Sequence, residues 1–191
     1  SGLAFRAQIE KQIPHADFSE LSDGSLQSAK AIAASLTKYS SVVGVGGGRV
    51  LDAAKYAASQ ANLPMIAVAT NLAHDGIASP VSILEHDGTR SSHGVSVPAA
   101  VLIDLDVVRS GPVRFLRAGI GDVLSNLNAV ADWELAREVN GEEVDGLAAS
   151  MSRTAATSLL NHPGTIEDAG FLTTLAEGLV LSGLAMAVAG T

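Results

Sequence analysis

One stretch restricts the possible folds more than any other: Val42-Val43-Gly44-Val45-Gly46-Gly47-Gly48-Arg49-Val50-Leu51-Asp52-Ala53-Ala54-Lys55. Ser41 to Val45 is a short β-branched run, the pattern of a buried strand in a parallel sheet. Three consecutive glycines, Gly46 to Gly48, follow, and Arg49 to Gln60 continues as an Ala-rich helical pattern without a breaker. Strand, glycine turn and helix make half of a nucleotide-binding βαβ unit. Glycine lets such a turn take φ > 0 and lets a bound pyrophosphate approach the backbone. The helix offers unpaired N–H groups and a positive dipole end to phosphate. The spacing is not the GxGxxG fingerprint, because the third glycine comes too early, and no Gly-Lys-Ser/Thr closes it as a P-loop. From the turn alone, a nucleotide site and an ordinary tight strand-to-helix turn are both open.

Composition narrows the partners. At 191 residues, 47% hydrophobic and 17% charged, the chain can bury one sizeable core or two small ones and is neither disordered nor fibrous. The net charge of -8 and the lack of a Lys/Arg cluster argue against nucleic acid and anionic membrane as partners, yet leave room for a phosphate site. The absence of cysteine excludes disulfides, thiolate metal sites and a Cys nucleophile, and fits a cytoplasmic enzyme. Ser1-Gly2-Leu3 has neither an initiator Met nor a signal segment, so Ser1 is not expected to be the native start. Gly178 to Gly190 is apolar but short for a bilayer span, with Glu177 interrupting it upstream; a buried core helix is expected.

Along the chain, Leu3 to Ile13 is a helical pattern ended by Pro14, and His15 to Phe18 has the composition of a short strand. Ser25 to Tyr39 is a second amphipathic helix, and Leu63 to Ala69 a second buried strand. This alternation predicts a doubly wound parallel sheet. Val81 to Leu84 and Arg90 to Val95 flank Asp87-Gly88, a strong hairpin signal, and Val101 to Asp104 returns to a buried strand. From Pro112 the pattern is helical, with breaks expected near Gly119, Asn140-Gly141, Pro163-Gly164 and Gly170. The expected division is therefore an α/β domain over residues 1–110 and a helical domain over 111–191.

Two polar clusters could carry chemistry. Thr70-Asn71-Leu72-Ala73-His74-Asp75-Gly76-Ile77-Ala78-Ser79-Pro80 follows the second strand directly, which puts it at the carboxyl edge of the sheet, where open α/β folds bind ligands. A carboxylate, an imidazole and hydroxyls suit a polyol or ribose, and a plain surface loop turning at Asp75-Gly76 stays open. In Ala118-Gly119-Ile120-Gly121-Asp122-Val123-Leu124-Ser125-Asn126, Asp122 lies among apolar and small residues, where a carboxylate must be paired, bind metal or cap a helix. A helix starting at Val123 would make it an N-cap. Asp52 and Lys55 are three apart on one helix and read as a surface ion pair.

The glycine turn through Lys55, the loop His74-Asp75-Gly76-Ile77-Ala78-Ser79-Pro80 and the segment Gly119-Ile120-Gly121-Asp122-Val123-Leu124-Ser125-Asn126 together resemble the iron-containing alcohol dehydrogenase/dehydroquinate synthase superfamily. Within it they are most similar to the glycerol-1-phosphate branch. Glycerol dehydrogenases tend to a Thr-Asp-Ala-Pro type loop, and dehydroquinate synthases place Glu where Asp122 stands; Ala131-Asp132-Trp133-Glu134-Leu135-Ala136 also resembles the glycerol-1-phosphate branch. The resemblance implies a Rossmann-like parallel-sheet α/β domain followed by an all-helical, dehydroquinate synthase-like domain.

It also implies roles. Gly47, Gly48, Arg49, Val50, Leu51 and Asp52 would meet the NAD or NADP pyrophosphate and ribose, and Thr70, Asn71, Leu72, Ala73 and Ser79 the nicotinamide side. Asp75 would hold a phosphorylated small-molecule substrate, and Asp122 both the substrate and a divalent metal, usually zinc. The implied reaction is reversible hydride transfer between NAD(P)H and dihydroxyacetone phosphate, giving sn-glycerol 1-phosphate. The family carries two metal-binding His residues beyond the equivalent of Thr191, and a strand and glycine loop before the equivalent of Ser1. The chain therefore resembles a fragment lacking both ends, expected to have little activity alone, of a parent enzyme that could form a homo-oligomer. Another polyol or sugar phosphate as substrate, and a non-catalytic nucleotide-binding module, are the alternatives.

Overall fold

A computed structural model of the chain describes residues 6–190; the start of the helix expected from Leu3 lies outside the described residues. Helix α1 (Arg6–Gln12) precedes α2 (Leu26–Ser35). Between them His15 to Phe18 forms no strand: with no partner strand beside it, local composition alone cannot hold a strand. Ser25 caps α2 by accepting from the Ser28 N–H at 3.1 Å.

Strand β1 (Val42–Gly46), helix α3 (Gly48–Gln60) and strand β2 (Met65–Ala69) form the expected unit. Hairpin strands β3 (Val81–His86) and β4 (Thr89–Gly94) interrupt the alternation before β5 (Ala100–Ile103). Asp87 and Gly88 both take positive φ, 50° and 75°, so the turn is of the primed kind whose twist matches the flanking strands. The main sheet is parallel in the order β1-β2-β5, and β3-β4 is a separate two-stranded sheet. Asp104 is not the end of a strand; it caps the short helix α4 (Leu105–Arg109) by accepting from Asp106 and Val107 N–H.

The remaining helices are α5 (Val113–Asn140), α6 (Gly146–Leu160) and α7 (Ala169–Ala189). The break expected at Gly119 does not occur, because α5 runs 28 residues through it and ends at Gly141 with φ 72°. A lone glycine costs a helix only about 1 kcal/mol, and the flanking turns are packed on both sides.

One apolar cluster joins both halves of the chain: Leu51, Met65, Ala67 and Ala69 from the α/β part with Val123, Leu159, Leu172, Leu175 and Leu179 from the helices. Each fully buried leucine contributes roughly 1.5–3 kcal/mol of transfer free energy. Helix α7 is long and apolar enough to cross a membrane by length and composition, and half of its most apolar window is buried inside the fold. The opposite face of the main sheet is barer, with Val43 47% and Leu102 56% exposed.

Candidate active site

Because β1 and β2 are adjacent and parallel, with Gly46 opposite Ala69, the turns that leave them open on the same sheet edge. Thr70 N–H donates to Gly46 O at 3.0 Å, tying the start of the second loop to the glycine turn. The two segments then pack side chain to glycine. A Cβ on Gly47 would lie 2.4 Å from Asn71 Nδ2, and one on Gly48 2.3 Å from His74 Nε2. A side chain at either position would have to push the tip of Asn71 or His74 aside, so the turn's bareness makes room for these two side chains as well as for a ligand.

At the start of α3, the N–H groups of Val50 and Leu51 both bond to Gly47 O. No side chain caps this helix, and the N–H groups of Gly48 and Arg49, in its first turn, have no partner within the helix. Arg49 is exposed, its stem lying against Gly24, and Val50 fills the space a Cβ on Gly46 would need. Leu51 and Leu72 point their side chains into the core, 1% and 0% exposed, so only their backbone can border a ligand. Ser79 is buried too. Thr70 lines a cleft with Val45, Val68 and Asp104 at the carboxyl ends of the strands.

Two helices bring the helical half to the same loop. On α5, a Cβ on Gly119 would fall 2.1 Å from Leu72 O; on α7, one on Gly183 would fall 2.7–2.8 Å from the backbone of Asp75, Ala78 and Ser79. Three turns of backbone thus meet with no side chain between them. Asp122, one helical turn beyond Gly119, accepts from the Asp75 N–H through Oδ2 at 2.8 Å. It therefore does not cap a helix starting at Val123: α5 already has ten residues before Val123, and the carboxylate bonds to the loop instead. Asp75 accepts from Ser182 Oγ at 2.8 Å, and Ser182 in turn accepts from Asn126 Nδ2 at 3.0 Å. His74 Nδ1 accepts from the Gly76 N–H at 3.0 Å, which makes Nε2 the protonated nitrogen of the neutral ring.

Asp52 and Lys55 are not a surface pair. They are 7% and 1% exposed, with Lys55 Nζ 3.3 Å from Asp52 Oδ1. The ammonium also donates to Ser79 O at 3.3 Å and to Val81 O, so it joins α3 to the far end of the loop that carries Asp75. Sequence spacing placed these residues on one helix; it could not show that the hairpin covers them.

Charge in the site is predominantly negative. Burial pushes the Asp122 carboxyl above the usual carboxylate range, the charge of Asp75 pushes it further, and the Asp75 N–H and His74 oppose both. Burial raises Asp52 and lowers Lys55, each partly offset by the other. Among the described residues no group of three or more His, Cys, Asp or Glu side chains is disposed to hold a metal ion. A zinc site takes three protein ligands at least, so these residues do not by themselves form one.

The structure thus brings together Gly47, Gly48, Asn71, His74, Asp75 and Asp122. Two contributors are not legible in the sequence. Asn126 stands in a motif without a role, and the sequence signal of Ser182 is no more than a hydroxyl beside a glycine inside a long apolar helix.

Residues 5–112, more than half of the chain, match the family described as iron-containing alcohol dehydrogenase, and the chain belongs to that family. It is 41% identical over 155 residues to a glycerol-1-phosphate dehydrogenase (NAD(P)+) from Archaeoglobus fulgidus, an alignment that covers 80% of this chain and 44% of that protein. Against the protein of the same name from Hyperthermus butylicus the identity is 37%, over all of this chain and 55% of that one. The chain therefore spans about half the length of these relatives. The crystal structure of a probable glycerol dehydrogenase from Sinorhizobium meliloti superposes with a TM-score of 0.75 at 22% identity, covering 86% of this chain and 50% of that one. That likeness supports the fold: a Rossmann-like sheet followed by helices.

Proposed function

We propose that the full-length protein is an NAD(P)-dependent oxidoreductase that reduces dihydroxyacetone phosphate reversibly to sn-glycerol 1-phosphate. The observation that carries this reading is the meeting of the glycine turn, Asp75 and Asp122 at one sheet edge, joined by the 2.8 Å bond from Asp75 N–H to Asp122. The names of the similar proteins support the choice of substrate and cofactor.

In this reading the free N–H groups at the start of α3 donate to the cofactor's pyrophosphate, with the helix turn that carries Asp52 near its ribose, the Asp52 carboxylate itself being held by Lys55, and the backbone of Thr70 to Ala73 and of Ser79 along the nicotinamide. The cofactor supplies the hydride. Asp75 has one carboxylate oxygen committed to Ser182 and offers the other to a substrate hydroxyl. Asp122 likewise keeps one oxygen for the substrate or a divalent cation, zinc in the first instance. The charge of Asp75 already works against ionisation of Asp122, and a bound cation would relieve that repulsion. The described residues supply only part of such a site, and two His residues beyond residue 191 are proposed to complete it. A cytoplasmic location and self-association of the apolar helical half belong to the same proposal.

The test is metal content and NAD(P)H-dependent reduction of dihydroxyacetone phosphate, on the full-length protein and its Asp122→Ala variant. About one zinc per chain and turnover, both lost in the variant, support the reading. Cofactor binding without metal or turnover replaces it with a nucleotide-binding module, and turnover of a different polyol or sugar phosphate replaces the substrate.

A further inference from the structure

Helix α7 is apolar almost throughout, yet Ser182 is 4% exposed in its interior. A buried hydroxyl is costly unless it is bonded, and here its bonds have a fixed direction. Asn126 Nδ2 lies 3.0 Å from Val123 O and 3.0 Å from Ser182 Oγ. Only the amide nitrogen can donate to a carbonyl, so Nδ2 also supplies the proton to Ser182 Oγ. Ser182 then has its own proton for Asp75 Oδ2 at 2.8 Å, in preference to Asn126 Oδ1 at 3.4 Å. Gly183, the next residue, lets the loop backbone rest directly on α7, since a Cβ there would meet Asp75 O at 2.8 Å. The loop is thus held by its backbone at Gly183 and by its carboxylate at Ser182.

We infer that Ser182, oriented by Asn126, is a positioning residue that turns the Asp75 carboxylate so that one oxygen is held by the protein and the other faces the substrate. This rests on the reading of Asp75 as a substrate contact. Without Ser182 the carboxylate could rotate about its Cβ–Cγ bond and present its oxygens to the cleft in more than one way, which weakens substrate binding more than it slows the chemical step.

The experiment uses the full-length protein and its Ser182→Ala, Ser182→Thr and Asn126→Ala variants, measured for KM and kcat with dihydroxyacetone phosphate and for NAD(P)H affinity by fluorescence. A hydrogen bond to a charged acceptor lost in this way is expected to raise KM about tenfold, with kcat and NAD(P)H affinity within about threefold of the unmutated protein. The threonine hydroxyl restores KM. Asn126→Ala raises KM by less, and adding it to Ser182→Ala raises KM no further, because the two act through one bond. An unchanged KM in Ser182→Ala, a threonine variant as impaired as alanine, or an equal loss of NAD(P)H affinity overturns the inference while the proposed reaction stands. No turnover by the unmutated protein removes the substrate reading and this inference with it. Should Ser182→Ala fail to fold, Asn126→Ala, at a half-buried position, carries the same KM test.

Discussion

Replacing Gly119 by alanine sets a local preference against a tertiary contact on the same helix. Within a helix alanine is favoured over glycine by about 0.8–1.0 kcal/mol, so α5 considered alone gains from the change. In the fold the new methyl group would lie 2.1 Å from Leu72 O. That neighbour is backbone and cannot rotate aside, so α5 and the loop must separate by nearly an ångström. Overpacking of this kind costs about 1–3 kcal/mol, and a rigid backbone contact belongs at the upper end, leaving a net loss of about 2 kcal/mol. The control is Gly121→Ala, two residues further on, where nothing lies within 4 Å of the added methyl and only the propensity gain of about 1 kcal/mol remains. For a chain of this size about 1 kcal/mol moves Tm by roughly 2–4 °C. Thermal unfolding followed by far-ultraviolet circular dichroism should therefore show Gly119→Ala lowering Tm by about 4–8 °C and Gly121→Ala raising it by about 2–4 °C. Equal rises in both variants would mean that α5 does not rest on the loop, and the packing that aligns Asp122 with Asp75 would be refuted.

Two further substitutions probe the buried charges. Lys55→Met leaves the Asp52 carboxylate and the carbonyls of Ser79 and Val81 without their donor, and breaking a buried pair in this way costs about 3–5 kcal/mol, read as a lower urea midpoint at neutral pH. Burial lowers the Lys55 pKa below its ordinary value of 10.5. Between the lowered value and 10.5 the unfolded chain binds more protons, and stability contributed by this group rises with pH; the rise should vanish in Lys55→Met, and its persistence would assign it to another group. Asp122→Asn keeps an oxygen to accept the Asp75 N–H but removes a half-buried charge and its repulsion with Asp75. Since the folded Asp122 pKa is raised above 3.8, stability from this group is present below 3.8 and is lost as pH rises through the folded value. The metal-free Asn variant should match the unmutated protein at low pH and exceed it modestly at neutral pH; equal stability at low pH with lower stability at neutral pH would show that the carboxylate is held by a compensating charge.

Much of this fold is legible in the sequence. Val42 to Lys55 announces strand, turn and helix because β-branched runs, glycine and alanine each have strong local preferences. Asp87-Gly88 announces the hairpin for the same reason: both positions need positive φ, which these residues tolerate. The local signals failed where a neighbour distant in sequence decided the outcome. Gly119 suggested a break, yet α5 passes through it, because the glycine is there to admit the Leu72 carbonyl. Asp122 suggested a cap, yet its partner is a backbone N–H 47 residues away. Asp52 and Lys55 suggested a solvated pair until the hairpin covered them.

The sequence by itself determined most of the elements and the chemical inventory: a glycine-rich turn between strand and helix, a loop with His74 and Asp75, and an isolated Asp122. Only the tertiary structure decided that these meet. It did so through Gly119 and Gly183, which allow helix and loop backbones to approach, and through the buried Ser182 and Lys55, which hold the loop at Asp75 and at Ser79 and Val81. Such contacts depend on the relative placement of whole elements, and no preference encoded in neighbouring residues can specify that distance.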